Sequence, residues 1–159
     1  ALVLDLHPSA LADKGLDAAL EELCAAYQAR AGVGVTASIE PVGLDAPGQH
    51  AVLRITQEAL ANATKHADPR HISVRLGATA SGVELVVSDD GRGFDPASPS
   101  RSAGIGLRLM RERVAELGGT LEVESTPDRG TAVRVHLPVL PPIAATPVGV
   151  GPPATHPAR

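Results

Sequence analysis

The stretch Gln57-Glu58-Ala59-Leu60-Ala61-Asn62-Ala63-Thr64-Lys65-His66-Ala67 carries an apolar and a polar stripe at once. It closes a segment predicted as a helix over about 47–67, opened by Pro47, in which Val52, Ile55, Ala59 and Ala63 recur at helical spacing. At about 100° per residue, Arg54, Glu58, Asn62, Lys65 and His66 fall on one polar stripe beside it. A carboxylate and an amide one turn apart can orient a water or hydroxyl and offer an oxygen to Mg²⁺. Lys65 and His66, one turn later, can meet phosphate oxygens. Taken alone, the same stripe reads as the solvated face of a surface helix.

Working outward, Leu16, Ala19, Leu20, Leu23 and Tyr27 predict a helix over roughly 15–31, ended by Gly32 and Gly34. Val33 to Glu40 reads as a strand. Beyond the central helix, Ile72, Val74 and Leu76 alternate with His71, Ser73 and Arg75, and Val83, Leu85 and Val87 follow the Ser81-Gly82 turn; both patterns predict strands. Residues 91–104 are rich in Gly, Pro and Ser and are expected to form a long loop. A helix over about 105–117 then presents Leu107, Met110, Val114 and Leu117 on one side, and strands over 119–125 and 131–137 flank the turn Thr126–Gly130. Strands and helices do not alternate strictly, so a doubly wound parallel sheet is excluded. The expected class is α+β: a mixed, mostly antiparallel sheet with three helices on one face.

Counting by two from Val83 through Leu85 and Val87 puts Asp89 on the inward face of its strand. An unpaired carboxylate there costs several kcal/mol and needs a donor. The glycines of Asp89-x-Gly91-x-Gly93 let backbone approach closely and leave room for a flat ligand, for which an adenine amino group is a suitable donor. Asp-Gly is equally the signature of a capped turn. Gly104-Ile105-Gly106-Leu107 is expected to end the loop and open the third helix, where free backbone N–H groups bind phosphate. Thr131, just after Gly130, points inward with Val133 and Val135; its hydroxyl either shares the ligand of Asp89 or is an ordinary strand threonine.

Composition narrows the alternatives. The 159 residues fit one domain, and with 43% apolar but only 1% aromatic residues the core must be built from Leu, Val, Ile and Ala. A net charge of −4 supplies no field for holding nucleic acid or an anionic membrane, so no nucleic-acid partner is expected. The single cysteine, Cys24, excludes an internal disulfide and a Cys-based zinc site. Nothing resembles a signal peptide or an apolar span, and the chain reads as cytoplasmic. Residues 139–159, Pro- and Gly-rich without periodicity, are expected to be a disordered tail.

The order and spacing Glu58/Asn62/Lys65/His66, Asp89-x-Gly91-x-Gly93, Gly104-x-Gly106-Leu107 and Gly130-Thr131 closely resembles the asparagine box, the two glycine boxes and the final Gly-Thr of histidine kinase ATP-binding domains. These belong to the Bergerat (GHKL) superfamily, which includes gyrase and MutL. Gln57–Ala67, and Gly104–Met110 followed by Arg111-Glu112-Arg113-Val114 and Leu117-Gly118-Gly119, look most like sensor kinases paired with LuxR/NarL-type response regulators. The resemblance covers about residues 5–138.

It implies a Bergerat-type sandwich over 15–138 that binds Mg-ATP without a P-loop. Glu58 would polarise the attacking imidazole, Asn62 would bind Mg²⁺, and Lys65 and His66 would contact phosphates. Asp89 would accept from the adenine amino group, with Gly91, Gly93 and Thr131 around it. Gly104, Gly106 and Leu107 would present backbone to the phosphates, and Phe94 to Ala103 would be a short ATP lid. The phosphorylated histidine of such kinases is usually followed by an acidic residue; none of His7, His50, His66, His71, His136 or His156 is. The acceptor is therefore expected on a dimerisation domain outside this chain, with residues 1–14 as the end of its helix plus a linker. The whole protein is expected to be a homodimer partnered by a response regulator, with membrane attachment left open. Two other readings are an anti-sigma-type protein serine kinase of the same fold and a non-catalytic nucleotide-sensing module. The bases at Lys65-His66 weigh against the first, and intact Glu58 and Asn62 against the second.

Overall fold

The computed structural model describes residues 15–93 and 101–139, with the backbone alone for His66 and residues 101–105. Helix α1 (Leu16–Ala31) leads into strand β1 (Gly34–Ile39). Helix α2 (Ala46–Asn62) follows, continued by one wide π-helical turn over Ala63–Ala67. Strands β2 (His71–Thr79) and β3 (Gly82–Asp89) form a hairpin, helix α3 spans Arg101–Glu116, and strands β4 (Thr120–Thr126) and β5 (Gly130–Pro138) close the fold. Residues 1–14 and 140–159, and 94–100 of the expected lid, lie outside the described residues.

The sheet order is β1-β2-β3-β5-β4, with β1 and β2 parallel and every other pair antiparallel. This is the expected mixed α+β architecture. Its inner face carries Ile72, Val74, Leu76, Val83, Leu85, Val87, Leu121, Val133, Val135 and Leu137, all buried. Against it pack Leu20, Leu23 and Tyr27 of α1, Val52, Ile55 and Leu60 of α2, and Val114 of α3. Each such aliphatic side chain contributes about 1.5–3 kcal/mol on leaving water, so a core nearly without aromatics suffices. The opposite face is polar: Ser73 and Ser88 share a hydrogen bond of 2.7 Å, and Arg134 pairs with Glu84 at 3.2 Å.

Each edge strand makes one hydrogen bond to a helix side chain. The Val35 N–H donates to Gln28 Oε1 at 2.9 Å, and Arg111 Nε donates to the Leu121 carbonyl at 3.3 Å. Such plugs blunt strand addition at an open edge. Cys24 is buried in the core, and burial pushes its thiol up to about 11, so it stays a neutral packing group. No described helix is long and apolar enough to cross a membrane.

Two boundaries depart from expectation, and both lie at the site. The central helix does not run regularly to 67; it widens after Asn62, and Asp68 closes it in the left-handed region at φ 47°. The third helix begins at Arg101 rather than near 105, so Gly104 and Gly106 lie inside it rather than opening it. Glycine lowers helix propensity by only about 1 kcal/mol relative to alanine, which packing against α2 offsets. The start of α2 carries a cap not anticipated: Asp45 Oδ1 accepts from the Gly48 N–H at 2.9 Å, with Pro47 in the first turn.

Candidate functional site

The end of β3 is where the candidate residues gather. Asp89 stands opposite Ile72 on β2 and Thr131 on β5, half-buried on the inner face with Val87, Leu85 and Val83. Burial raises its carboxyl above the ordinary range, and the negative charge of Asp90 adds to this. The N–H groups of Gly91 and Thr131 donate to it and pull the other way, without cancelling the effect of burial. The Gly91 bond, 2.8 Å to Oδ1, is the local Asp-Gly turn bond weighed as the alternative. It coexists with an inward carboxylate that retains acceptor capacity, because an ionised carboxylate offers about four lone-pair sites.

Glycines surround this carboxylate because backbone closes in on three sides. A Cβ on Gly91 would lie 2.6 Å from Ala67 Cβ. Gly93, at φ 62°, packs on the Thr126 carbonyl, and Gly130, at φ 92°, on the carbonyl of Asp89 itself. Positive φ and carbonyl contact together exclude any side chain at either position. Thr131 Oγ1 shares a 2.8 Å hydrogen bond with Ser125 Oγ, a β4 residue that no sequence pattern singles out.

The second half of the site lies on α2. Glu58 and Asn62, one turn apart, are both partly exposed. Asn62 Nδ2 is buried and has no hydrogen-bond partner among the described residues. The two ends of an amide are nearly isosteric, so a half-turn about χ2 brings Oδ1 to the same place. Either way, one buried amide end has no partner among the described residues. Glu58 reaches α3: a Cβ on Gly106 would collide with its carboxylate, the Cδ lying only 2.7 Å away. Lys65 is exposed on the widened turn. A π turn advances each residue by less than 100°, so Lys65 and His66 do not continue the Glu58–Asn62 line as a regular helix would.

At α3, Gly106 sits in the second turn, where a helix commits its N–H to the carbonyl four residues back. The amides free for an anion are those of the first turn. Leu107 packs its side chain against the core. Two clefts formed by described residues lie elsewhere: about 200 Å³ on the helix-free face beside Glu84 and Arg75, and about 420 Å³ between α2 and α3 beside Arg54, Leu109 and Arg113.

ATP is a ligand these groups fit. Asn62 supplies an unpartnered amide, Asp89 an inward acceptor, and the glycines a floor without side chains. No cluster of three or more His, Cys, Asp or Glu that could hold a metal ion by itself occurs among the described residues.

Comparison with known proteins agrees. Residues 48–141 match the family described as histidine kinase-, DNA gyrase B- and HSP90-like ATPase. The chain belongs to that family. It is 33% identical over 141 residues to the sensor histidine kinase LiaS of Bacillus subtilis, covering 89% of this chain and 39% of that protein. It is 37% identical over 140 residues to the sensor histidine kinase MctS of Rhizobium johnstonii, covering 84% of this chain and 30% of that protein. The chain thus spans well under half the length of either relative. Among solved structures, the histidine kinase domain of a blue-light activated histidine kinase from Erythrobacter litoralis superposes with a TM-score of 0.67 at 25% identity, over 77% of this chain and 60% of that one.

Proposed function

We propose that this ATPase-family chain is the catalytic domain of a two-component sensor histidine kinase. Its task is to bind Mg-ATP and present the γ-phosphoryl group to a histidine on a separate dimerisation domain. The observation that carries the reading is the Glu58–Asn62 pair on one face of α2, with the Glu58 carboxylate against Gly106 and a buried end of the Asn62 amide lacking a partner.

In this reading Asp89 accepts from the adenine amino group, and Gly91, Gly93 and Thr131 bound the purine slot. Asn62 offers its amide oxygen to Mg²⁺. Lys65, His66 and the backbone of Gly104, in the first turn of α3, face the phosphates; the N–H groups of Gly106 and Leu107 are committed within the helix and do not. When bound, Mg-ATP supplies the group transferred and a cation that neutralises its charge; the rest is positioning. Glu58 accepts the proton of the acceptor imidazole's N–H and orients that ring for attack. In the same reading this domain is cytoplasmic, and the whole protein is a homodimer whose phosphoryl group passes on to a LuxR/NarL-type response regulator.

The test is to mix the chain with a separately produced dimerisation domain and Mg-ATP. Acid-labile phosphate on a histidine is the expected product. Acid-stable phosphate on a serine protein would transfer the reading to a serine kinase, and nucleotide binding without transfer to any acceptor would make the domain a sensor module.

A further inference from the structure

We infer that Asp90 is a positioning residue that fixes the distance between the purine-reading end of β3 and the turn bearing Lys65 and His66. The inference rests on the nucleotide reading above and adds a residue to which that reading gave no role. Asp90 Oδ1 accepts two backbone N–H groups at once, from Arg70 at 2.8 Å and His71 at 2.9 Å. Its own N–H donates to the His71 carbonyl at 3.2 Å, and the N–H of Arg92, two residues on, donates to the Ala67 carbonyl at 2.8 Å. Gly91 between them lies flat on Ala67.

The segment 90–92 therefore grips the chain at residue 67, the last of the π turn, and at residues 70 and 71 just after it. Asp89 itself is held independently by its ladder positions on β2 and β5. These bonds are the staple between two structures that a nucleotide must span: the acceptor for the base and the turn for the phosphates. The two donated bonds also hold the Asp90 carboxyl below the ordinary range, as expected of an acceptor that is ionised in its working state. The side chain is exposed and buries nothing, so its use lies in those bonds rather than in packing.

Asparagine keeps an Oδ1 acceptor, whereas alanine removes it. The experiment compares wild type, Asp90→Asn and Asp90→Ala for binding of adenosine and of Mg-ATP by calorimetry, with amide exchange followed at Arg70 and His71. The expected result is Asn close to wild type. Ala should weaken Mg-ATP by about tenfold, leave adenosine within about threefold, and speed exchange at the two amides. Equal losses for adenosine and Mg-ATP in Asp90→Ala, or no loss for either, would overturn the positioning role while leaving the nucleotide reading intact. A wild-type chain that binds neither compound would overturn the nucleotide reading, and this inference with it.

Discussion

The Glu58 carboxylate lies against Gly106, so residues 48 apart in sequence meet at a point where any side chain on α3 would have to displace that carboxylate. That contact ties the candidate base on α2 to the second turn of α3, next to the first-turn amides that the proposed reading assigns to the phosphates. Gly106→Ala tests it. The added methyl must displace the far end of a flexible side chain, which is cheap, and alanine improves helix propensity by about 1 kcal/mol. Thermal stability should change by no more than about 3 °C, while phosphotransfer drops at least about tenfold. Unchanged phosphotransfer would separate Glu58 from the chemistry.

Asn62→Ala should separate ligand binding from folding in the same way. No described group bonds to the buried amide nitrogen, so its removal costs the fold almost nothing and relieves a buried polar atom. Denaturant midpoints should stay equal or rise slightly. The strengthening of ATP binding by Mg²⁺ should disappear. Calorimetry with and without the metal reads this directly.

Asp89 should leave a signature in the pH dependence of stability. Its folded carboxyl is raised by burial, so its contribution is fully present below the unfolded carboxylate value of about 3.9 and is lost as pH rises through the folded value. Asp89→Asn does not titrate. The stability of the variant relative to wild type should therefore improve as pH rises from about 3 to 7, whatever the offset between the two proteins. A flat difference across that range would place the carboxylate in a water-like environment.

Core and site should also separate by magnitude. Leu60, fully buried two residues from Glu58 on the other side of α2, should cost about 2–5 kcal/mol on truncation to alanine. Glu58→Ala, on the partly exposed face, should stay within about 0.5 kcal/mol and yet abolish phosphotransfer. Urea unfolding of the pair measures both.

The sheet was legible because β2 and β5 alternate, and because the period of two that buries Val83, Leu85 and Val87 on the inner face also delivers Asp89 there, although Val86 is buried on the opposite face. The fold was legible for the same reason, since Leu16 to Tyr27 and Val52 to Ala59 keep helical spacing. Periodicity could not show the π turn, because Ala63 to Ala67 reads as helix whether its turn holds 3.6 residues or more. It also misplaced the start of α3, where the Gly-, Pro- and Ser-rich run up to Gly104 looks like a loop, whereas the helix already begins at Arg101. Asp90 escaped notice because its partners are backbone N–H groups 19 and 20 residues away, which no side-chain pattern announces. Ser125 did so because a strand serine signals nothing until the register sets it opposite Thr131.

The measurement closest to the central claim compares ATP with GTP. Adenine carries an amino group where guanine carries a carbonyl oxygen, so a carboxylate that reads the base gains a donor from one and faces an acceptor in the other. A hydrogen bond to a charged group is worth about 1.5–3 kcal/mol, or roughly 10- to 100-fold in affinity. Wild type should prefer ATP by that ratio, and Asp89→Asn should lose the preference. Equal binding of ATP and GTP by the wild-type chain, or a preference that survives Asp89→Asn, would contradict the account.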